Sequence, residues 1–157
     1  MTNKEFDKPG PDLISVVSEP AYLSHYSDPQ KNHYSFSYTI TVTNSGDCAV
    51  QLLSRHLIIT DADGDVQEVR GEGVVGKKPL ISPGESFRYT SWVSIKTPIG
   101  TMEGSFTMTS RSNNLQDVTE FLEFEVPIPV FSIQQLKDFN QKILIISLLL
   151  EILSTDF

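Results

Sequence analysis

Apolar and polar side chains alternate with a period of two along most of this chain. That period predicts strands, because successive strand side chains point to opposite faces of a sheet. The segment YSFSYTITVTN shows it most clearly: Tyr34, Phe36, Tyr38, Ile40 and Val42 alternate with small hydroxyl residues, as in an antiparallel strand with one wet face. NSGD then turns the chain into AVQLLSRHLIIT, a second strand that is apolar on parts of both faces. DADGD makes a hairpin turn into DVQEVRG, since Asp and Gly supply the left-handed backbone of such turns. ISPGES is a Pro-Gly turn, after which SFRYTSWVSI sets Phe87, Tyr89, Val93 and Ile95 against polar neighbours. TMEGSFTMTS places Met102, Phe106 and Met108 opposite Thr101, Glu103, Ser105 and Thr107. A polar loop, RSNNLQD, leads to VTEFLEFEVPIPVF, a last strand that its prolines stop. About seven short strands, with turn signals at close spacing and no helical period between them, predict an all-β sandwich.

The two ends break this rhythm. Residues 1–12 are polar and turn-prone and read as a flexible arm, with the fold beginning near Leu13 in DLISVVSEP. The sandwich is expected to span 13–131, followed by a helical tail over 132–157. Ser132 stands three residues before Gln135, the spacing of a capping box, and Phe131 and Leu136 stand where a hydrophobic staple would pack. From Ile143 to Leu153 only Ser147 and Glu151 interrupt the apolar residues, a run short of the roughly 20 residues a membrane span needs. Such a helix is expected to pack on its own sandwich or to serve as a surface for homo-oligomer formation.

With 157 residues the chain suits one domain and can bury a core without a metal or disulfide staple. Cys48 is the single cysteine, which excludes an intrachain disulfide framework, and the first twenty residues lack a signal-peptide core. Both point to the cytoplasm. A net charge of −8 disfavours nucleic acid and anionic membranes, whose affinity comes from phosphates neutralised by Lys and Arg.

Gly71, Gly73 and Gly76 have the G-x-G-x-x-G spacing of a dinucleotide-binding turn. That turn must open a helix, and here Lys77-Lys78-Pro79 and Ser82-Pro83-Gly84 follow, where no helix can run. Two readings remain. The glycines could let backbone N–H groups face one concavity, with Arg70, Lys77 and Lys78 attracting a nucleotide or pyrophosphate. Alternatively they form a bulged connection between strands with solvated lysines. Asp61, Asp63, Asp65 and Glu72 match positions 1, 3, 5 and 12 of a calcium loop, but Val66 replaces the glycine at position 6. A hairpin turn is the simpler account, and Asp61, Asp63 and Asp65 remain a weak candidate site for a divalent cation. His25, His33 and His56 are not at ligand spacing. His56 shares strand parity with Leu52 and Ile58, which suggests a hydrogen-bonded core histidine. No serine sits in a nucleophile elbow and Cys48 has no nearby histidine, so no catalytic residue and no cofactor is expected. Trp92 and Tyr34, Tyr38 and Tyr89 sit at strand positions and read as core or rim.

The stretch VQLLSRHLIITDADGDVQEVRGEGVVGKKPLISPGESFRYTSWVSIKTPIGTMEGSFTM, residues 50–108, resembles the ApaG family, with VRGEGVVG, PGESFRYTS and TPIGTMEGSF as its most specific pieces. IPVF at 128–131 is similar to that family's terminal strand, so the likeness runs from about Leu13 to Phe131. The resemblance implies an immunoglobulin/fibronectin type III-like β-sandwich. It also implies a link to cobalt resistance and magnesium efflux, a gene beside that of a diadenosine tetraphosphate hydrolase, and nucleotide or pyrophosphate binding through the glycine loop. In eukaryotes similar domains occur in an F-box protein and a polymerase delta-interacting protein, which implies a protein-interaction module. Two features depart from the family: Leu57, where relatives carry an aromatic residue, and the tail after Phe131. The expectation is a non-enzymatic binding module with a protein partner, with nucleotide or pyrophosphate binding at 70–78 as the alternative.

Overall fold

In the computed structural model, which describes residues 10–110, 122–135 and 139–154, the alternating segments pair into two antiparallel sheets. The strands are β1 (Ile14–Tyr22), β2 (Tyr34–Asn44), β3 (Val50–Asp61), β4 (Val66–Glu72), β5 (Leu80–Ile81), β6 (Ser86–Ile95), β7 (Ile99–Ser110) and β8 (Leu122–Gln134). One sheet has the order β1-β2-β6; the other runs β4-β3-β7-β8, with the two-residue β5 pairing with β3. Phe36, Ile40 and Val42 of β2 face the same core as Leu52, Leu57 and Ile59 of β3 and Met102, Phe106 and Met108 of β7. All are at most 1% exposed, so each contributes about 1.5–3 kcal/mol of hydrophobic free energy. Tyr89 of β6 meets Phe106 edge-on across this core, with centroids 6.4 Å apart. The β4 and β6 edges are tied by Gln67 Nε2 donating to the Ser94 carbonyl at 3.2 Å.

A bulge in β3 decides which residues face inward. Leu52 pairs with Met108 but Ser54 pairs with Thr107, so Leu53 is an extra residue with no partner on β7. An odd number of added residues exchanges the faces of a strand. Leu52 is buried before the bulge; Leu57 and Ile59 are buried after it. His56 therefore lies on the outer face and is not the core histidine expected from its shared parity with Leu52. It bonds Glu68 on neighbouring β4 instead, Nε2 to Oε2 at 3.1 Å.

The C-terminal end departs from expectation in two respects. The prolines do not stop β8, which carries Pro127 and Pro129 and runs on to Gln134. β8 is an edge strand, where a residue without an N–H costs no ladder bond on the open side. A second bulge, between Met102 and Gly104, lets three steps of β8 oppose two of β7. Ser132 caps no helix: it lies in β8, and its neighbour Ile133 is fully buried. Leu136, the other half of the expected staple, lies outside the described residues. The helix α1 spans Phe139–Ser154, and its described side chains from Ile146 to Ser154 are exposed, not packed on the sandwich. No described helix is long and apolar enough to cross a membrane. Most of the N-terminal arm and the loop RSNNLQD lie outside the described residues; within the arm, Pro11–Leu13 form a 3-10 turn.

Candidate functional site

The glycine segment is a tightly bonded connection. Gly71 lies in β4 opposite Arg55, and a Cβ there would stand 2.9 Å from the guanidinium. Arg55 Nη1 donates to the carbonyls of Glu72 at 3.2 Å and Gly73 at 2.8 Å. Val74, fully buried, and Lys77 exchange backbone bonds of 2.8 and 3.0 Å around Val75 and Gly76, which have φ of 45° and 77°. Positive φ at both central residues is the requirement of a type I′ turn, and at β-branched Val75 it is strained. The Gly73 N–H donates at 2.7 Å to the carbonyl of Leu53, the residue left over by the β3 bulge. The N–H groups of Gly73, Val74 and Lys77 are thus spent on the protein's own carbonyls. Arg70 pairs with Glu68 at 3.6 Å and Lys78 with Glu72 at 3.3 Å. The structure therefore brings Arg70, Gly71, Gly73, Gly76, Lys77 and Lys78 into one connection, with two of its three cations engaged by carboxylates.

The acidic turn is likewise engaged by its own backbone. Asp61 Oδ1 accepts the N–H groups of Asp63 at 2.9 Å and Asp65 at 3.0 Å, while Asp63 and Asp65 are exposed. Gly64, with φ of 84°, completes a three-residue hairpin loop. Among the described residues no group of three or more His, Cys, Asp or Glu side chains is placed to hold a metal ion.

On the outer face of the larger sheet a shallow concavity of about 440 Å³ gathers Arg70, His56, Ser105, Thr107 and Glu125. A hydrogen bond from Thr107 holds the Glu125 carboxyl below the usual range, helped by Ser105 and the nearby His56 and opposed by partial burial. The Thr107 and Ser105 hydroxyls there donate to a carboxylate. In the core, burial pushes the Tyr89 phenol well above its ordinary value, with Tyr38 adding and Arg55 opposing. Its buried hydroxyl has no hydrogen-bond partner among the described residues.

A larger groove, about 620 Å³, lies on the outer face of the β1-β2-β6 sheet, within the roughly 300–1,000 Å³ of typical ligand sites. Trp92 of β6, 67% exposed, forms one wall and Tyr26, 74% exposed, the other. The Tyr26 wall is held rigidly. The Leu23 N–H donates to the Ser35 carbonyl at 2.8 Å, and Ser27 Oγ donates to the Leu23 carbonyl at 2.7 Å while accepting the Ser35 N–H at 2.9 Å. Ser35 Oγ lies 3.2 Å from His33 Nε2, 2.8 Å from Ser94 Oγ and 2.8 Å from the Tyr26 carbonyl. A carbonyl can only accept, so the single Ser35 proton goes to Tyr26 and both other partners must donate. These bonds join the Tyr26 turn to β2 and β6.

Residues 24–110 match the ApaG domain. Protein ApaG of Ralstonia nicotianae is 47% identical over 120 residues, 76% of this chain and 90% of that protein. Protein ApaG of Dechloromonas aromatica is 51% identical over 114 residues, 73% of this chain and 85% of that one. The chain belongs to the ApaG domain family. A crystal structure of an ApaA protein from Bordetella pertussis superposes with a TM-score of 0.71 at 42% identity, covering 80% of this chain and 95% of that one. The matched range contains the glycine connection and, except for Leu23, the residues lining the Tyr26–Trp92 groove, and it ends before β8 and α1.

Sequence reasoning placed Trp92 in the core or at its rim, and the structure places it on the solvent face. The signal was present: with Phe87, Tyr89, Val93 and Ile95 on odd positions, an even-numbered tryptophan must face outward. Tyr26 carried no such signal, because it ends a short 3-10 turn, Ser24–Tyr26, outside the strand alternation and is tied to the sheet by the Ser35 hydroxyl.

Proposed function

We propose that this chain is a non-enzymatic interaction module of the ApaG type that recognises a protein partner through the Tyr26–Trp92 groove. The observation that carries this reading is the pair of exposed aromatic walls over a pre-organised hydroxyl floor. Exposed Trp and Tyr are the residues that most often anchor interfaces, and here no folding role accounts for their exposure. Nucleotide or pyrophosphate binding at 70–78 is the less favoured reading, because three N–H groups of that connection are already bonded internally. The cobalt and magnesium link implied by the family resemblance is, on this proposal, exerted through the partner, in the cytoplasm.

The test compares full-length chain, Trp92→Ala and the double variant Lys77→Ala/Lys78→Ala as immobilised baits in quantitative affinity isolation. Partners should be lost at least tenfold from Trp92→Ala and retained by the lysine variant. Equal recovery on all three baits removes the groove from the function. Calorimetric heat with ATP or diadenosine tetraphosphate that disappears in the lysine variant would establish the nucleotide reading in its place.

A further inference from the structure

We infer that the Tyr26–Trp92 groove takes a proline-rich segment of the partner in the polyproline II conformation, an inference that rests on the groove being the interaction site. Such a segment makes no internal hydrogen bonds; it presents pyrrolidine rings and solvated carbonyls, and has few or no N–H groups to satisfy. A matching receptor needs aromatic walls for the rings and donors for the carbonyls, and needs no free backbone acceptors. The groove meets each requirement. Trp92 and Tyr26 are largely exposed, and neither the indole N–H nor the phenolic O–H has a hydrogen-bond partner among the described residues.

Four carbonyls at the groove are already occupied: Tyr26 by Ser35 Oγ, Leu23 by Ser27 Oγ, Ser35 by the Leu23 N–H and Ser94 by Gln67 Nε2. A proline segment, with few or no N–H groups to satisfy, leaves these internal bonds undisturbed. Among the described residues no Asp, Glu, Lys, Arg, Asn or Gln lines the groove. This removes the charge complement that a phosphopeptide or an acidic or basic peptide would use. It also removes the carboxylates and amides that grip sugar hydroxyls bidentately.

Trp92 is the only tryptophan in the chain, so its emission reports directly on the groove. Titrating the full chain with decaproline should give a saturable blue shift, and an alternating Gly-Ser decapeptide should give none. Tyr26→Ala, which keeps the fluorophore and alters an exposed side chain, should weaken decaproline at least about tenfold. A response matched by the Gly-Ser peptide, or unchanged in Tyr26→Ala, overturns the inference. A second arm selects a random dodecapeptide display library on the full chain with counter-selection on Trp92→Ala, whose fold is checked by circular dichroism. Enrichment of proline-rich, Trp92-dependent peptides is expected. Trp92-dependent peptides lacking proline overturn the polyproline inference and leave the interaction reading standing. If no Trp92-dependent peptide emerges, both fall.

Discussion

Replacing Gly73 by alanine tests whether the G-x-G-x-x-G spacing is a requirement of the fold. Gly73 has φ of 61°, and a Cβ there would lie 2.2 Å from the Lys77 carbonyl oxygen, backbone that cannot rotate away. The left-handed conformation alone costs a non-glycine residue about 1–2 kcal/mol. Relieving the clash means parting Val74 from Lys77, which share two hydrogen bonds, at about 0.5–1.5 kcal/mol net per bond. Against this, losing a glycine stabilises by about 0.4–1 kcal/mol through the unfolded chain. The expected loss is about 3 kcal/mol. Gly76 has φ of 77° but open space around its Cβ position, so Gly76→Ala should lose about 0.5–1 kcal/mol, the conformational cost less the unfolded-chain gain. Gly71→Ala meets the flexible end of Arg55 and should lose about 1 kcal/mol as the guanidinium gives up part of its hold on Gly73. Urea unfolding followed by far-ultraviolet circular dichroism resolves these differences. With a slope of about 2 kcal/mol per molar, Gly73→Ala should move the midpoint down by about 1.5 M. A Gly73→Ala midpoint within 0.3 M of the parent, or a larger loss in Gly76→Ala, would refute the account.

Tyr89→Phe removes a buried hydroxyl that has no partner among the described residues and should raise stability by up to about 1 kcal/mol at neutral pH. Because the folded-state phenol titrates above its unfolded value of about 10, its contribution is fully present below that pH and is lost as pH rises beyond it. Thermal melts of the parent should therefore fall more steeply above pH 10 than those of Tyr89→Phe, and parallel curves would contradict this. Thr107→Val should raise the Glu125 titration midpoint in carboxyl-carbon NMR, since the Thr107 bond is the main cause of its depression. The stability that depression confers is present at neutral pH and lost as the solution is acidified through the folded-state value. An unmoved midpoint would show that another group holds the charge. Removing residues 139–157 should abolish self-association in sedimentation velocity, because Ile146, Leu148, Leu149, Leu150, Ile152 and Leu153 are each more than half exposed on one helix. The same monomer before and after truncation would show that the helix mediates no assembly.

The period of two sufficed for β2, β6 and β7, where every inward residue from Phe36 to Met108 was legible because nothing interrupts the alternation. It failed at His56 because a bulge adds one residue without leaving a compositional mark: Leu53 reads as an ordinary apolar strand residue, and only its missing partner on β7 reveals it. The prolines of β8 were read as terminators because their tolerance depends on which strand lies at an edge, and edges are fixed by pairing. Ser132 had the spacing of a cap but also strand parity with Val130, and burial of Ile133 decided in favour of the strand. At the glycine segment the sequence left a phosphate concavity and a bulged connection both open. What it could not show is that Gly73 answers a bulge twenty residues earlier in the chain. That contact is why the motif's spacing matters in the fold.

The two prolines of β8 have a further consequence. An unprotected border of a four-strand ladder invites a second molecule to continue it, which is how many β-proteins begin to form fibrils. With Pro127 and Pro129 interrupting its hydrogen-bonding row, and with a local kink beside them, this border makes a poor template. Concentrated solutions of the sandwich should accordingly resist amyloid formation at this side, and replacing both prolines with threonine would be expected to remove that safeguard.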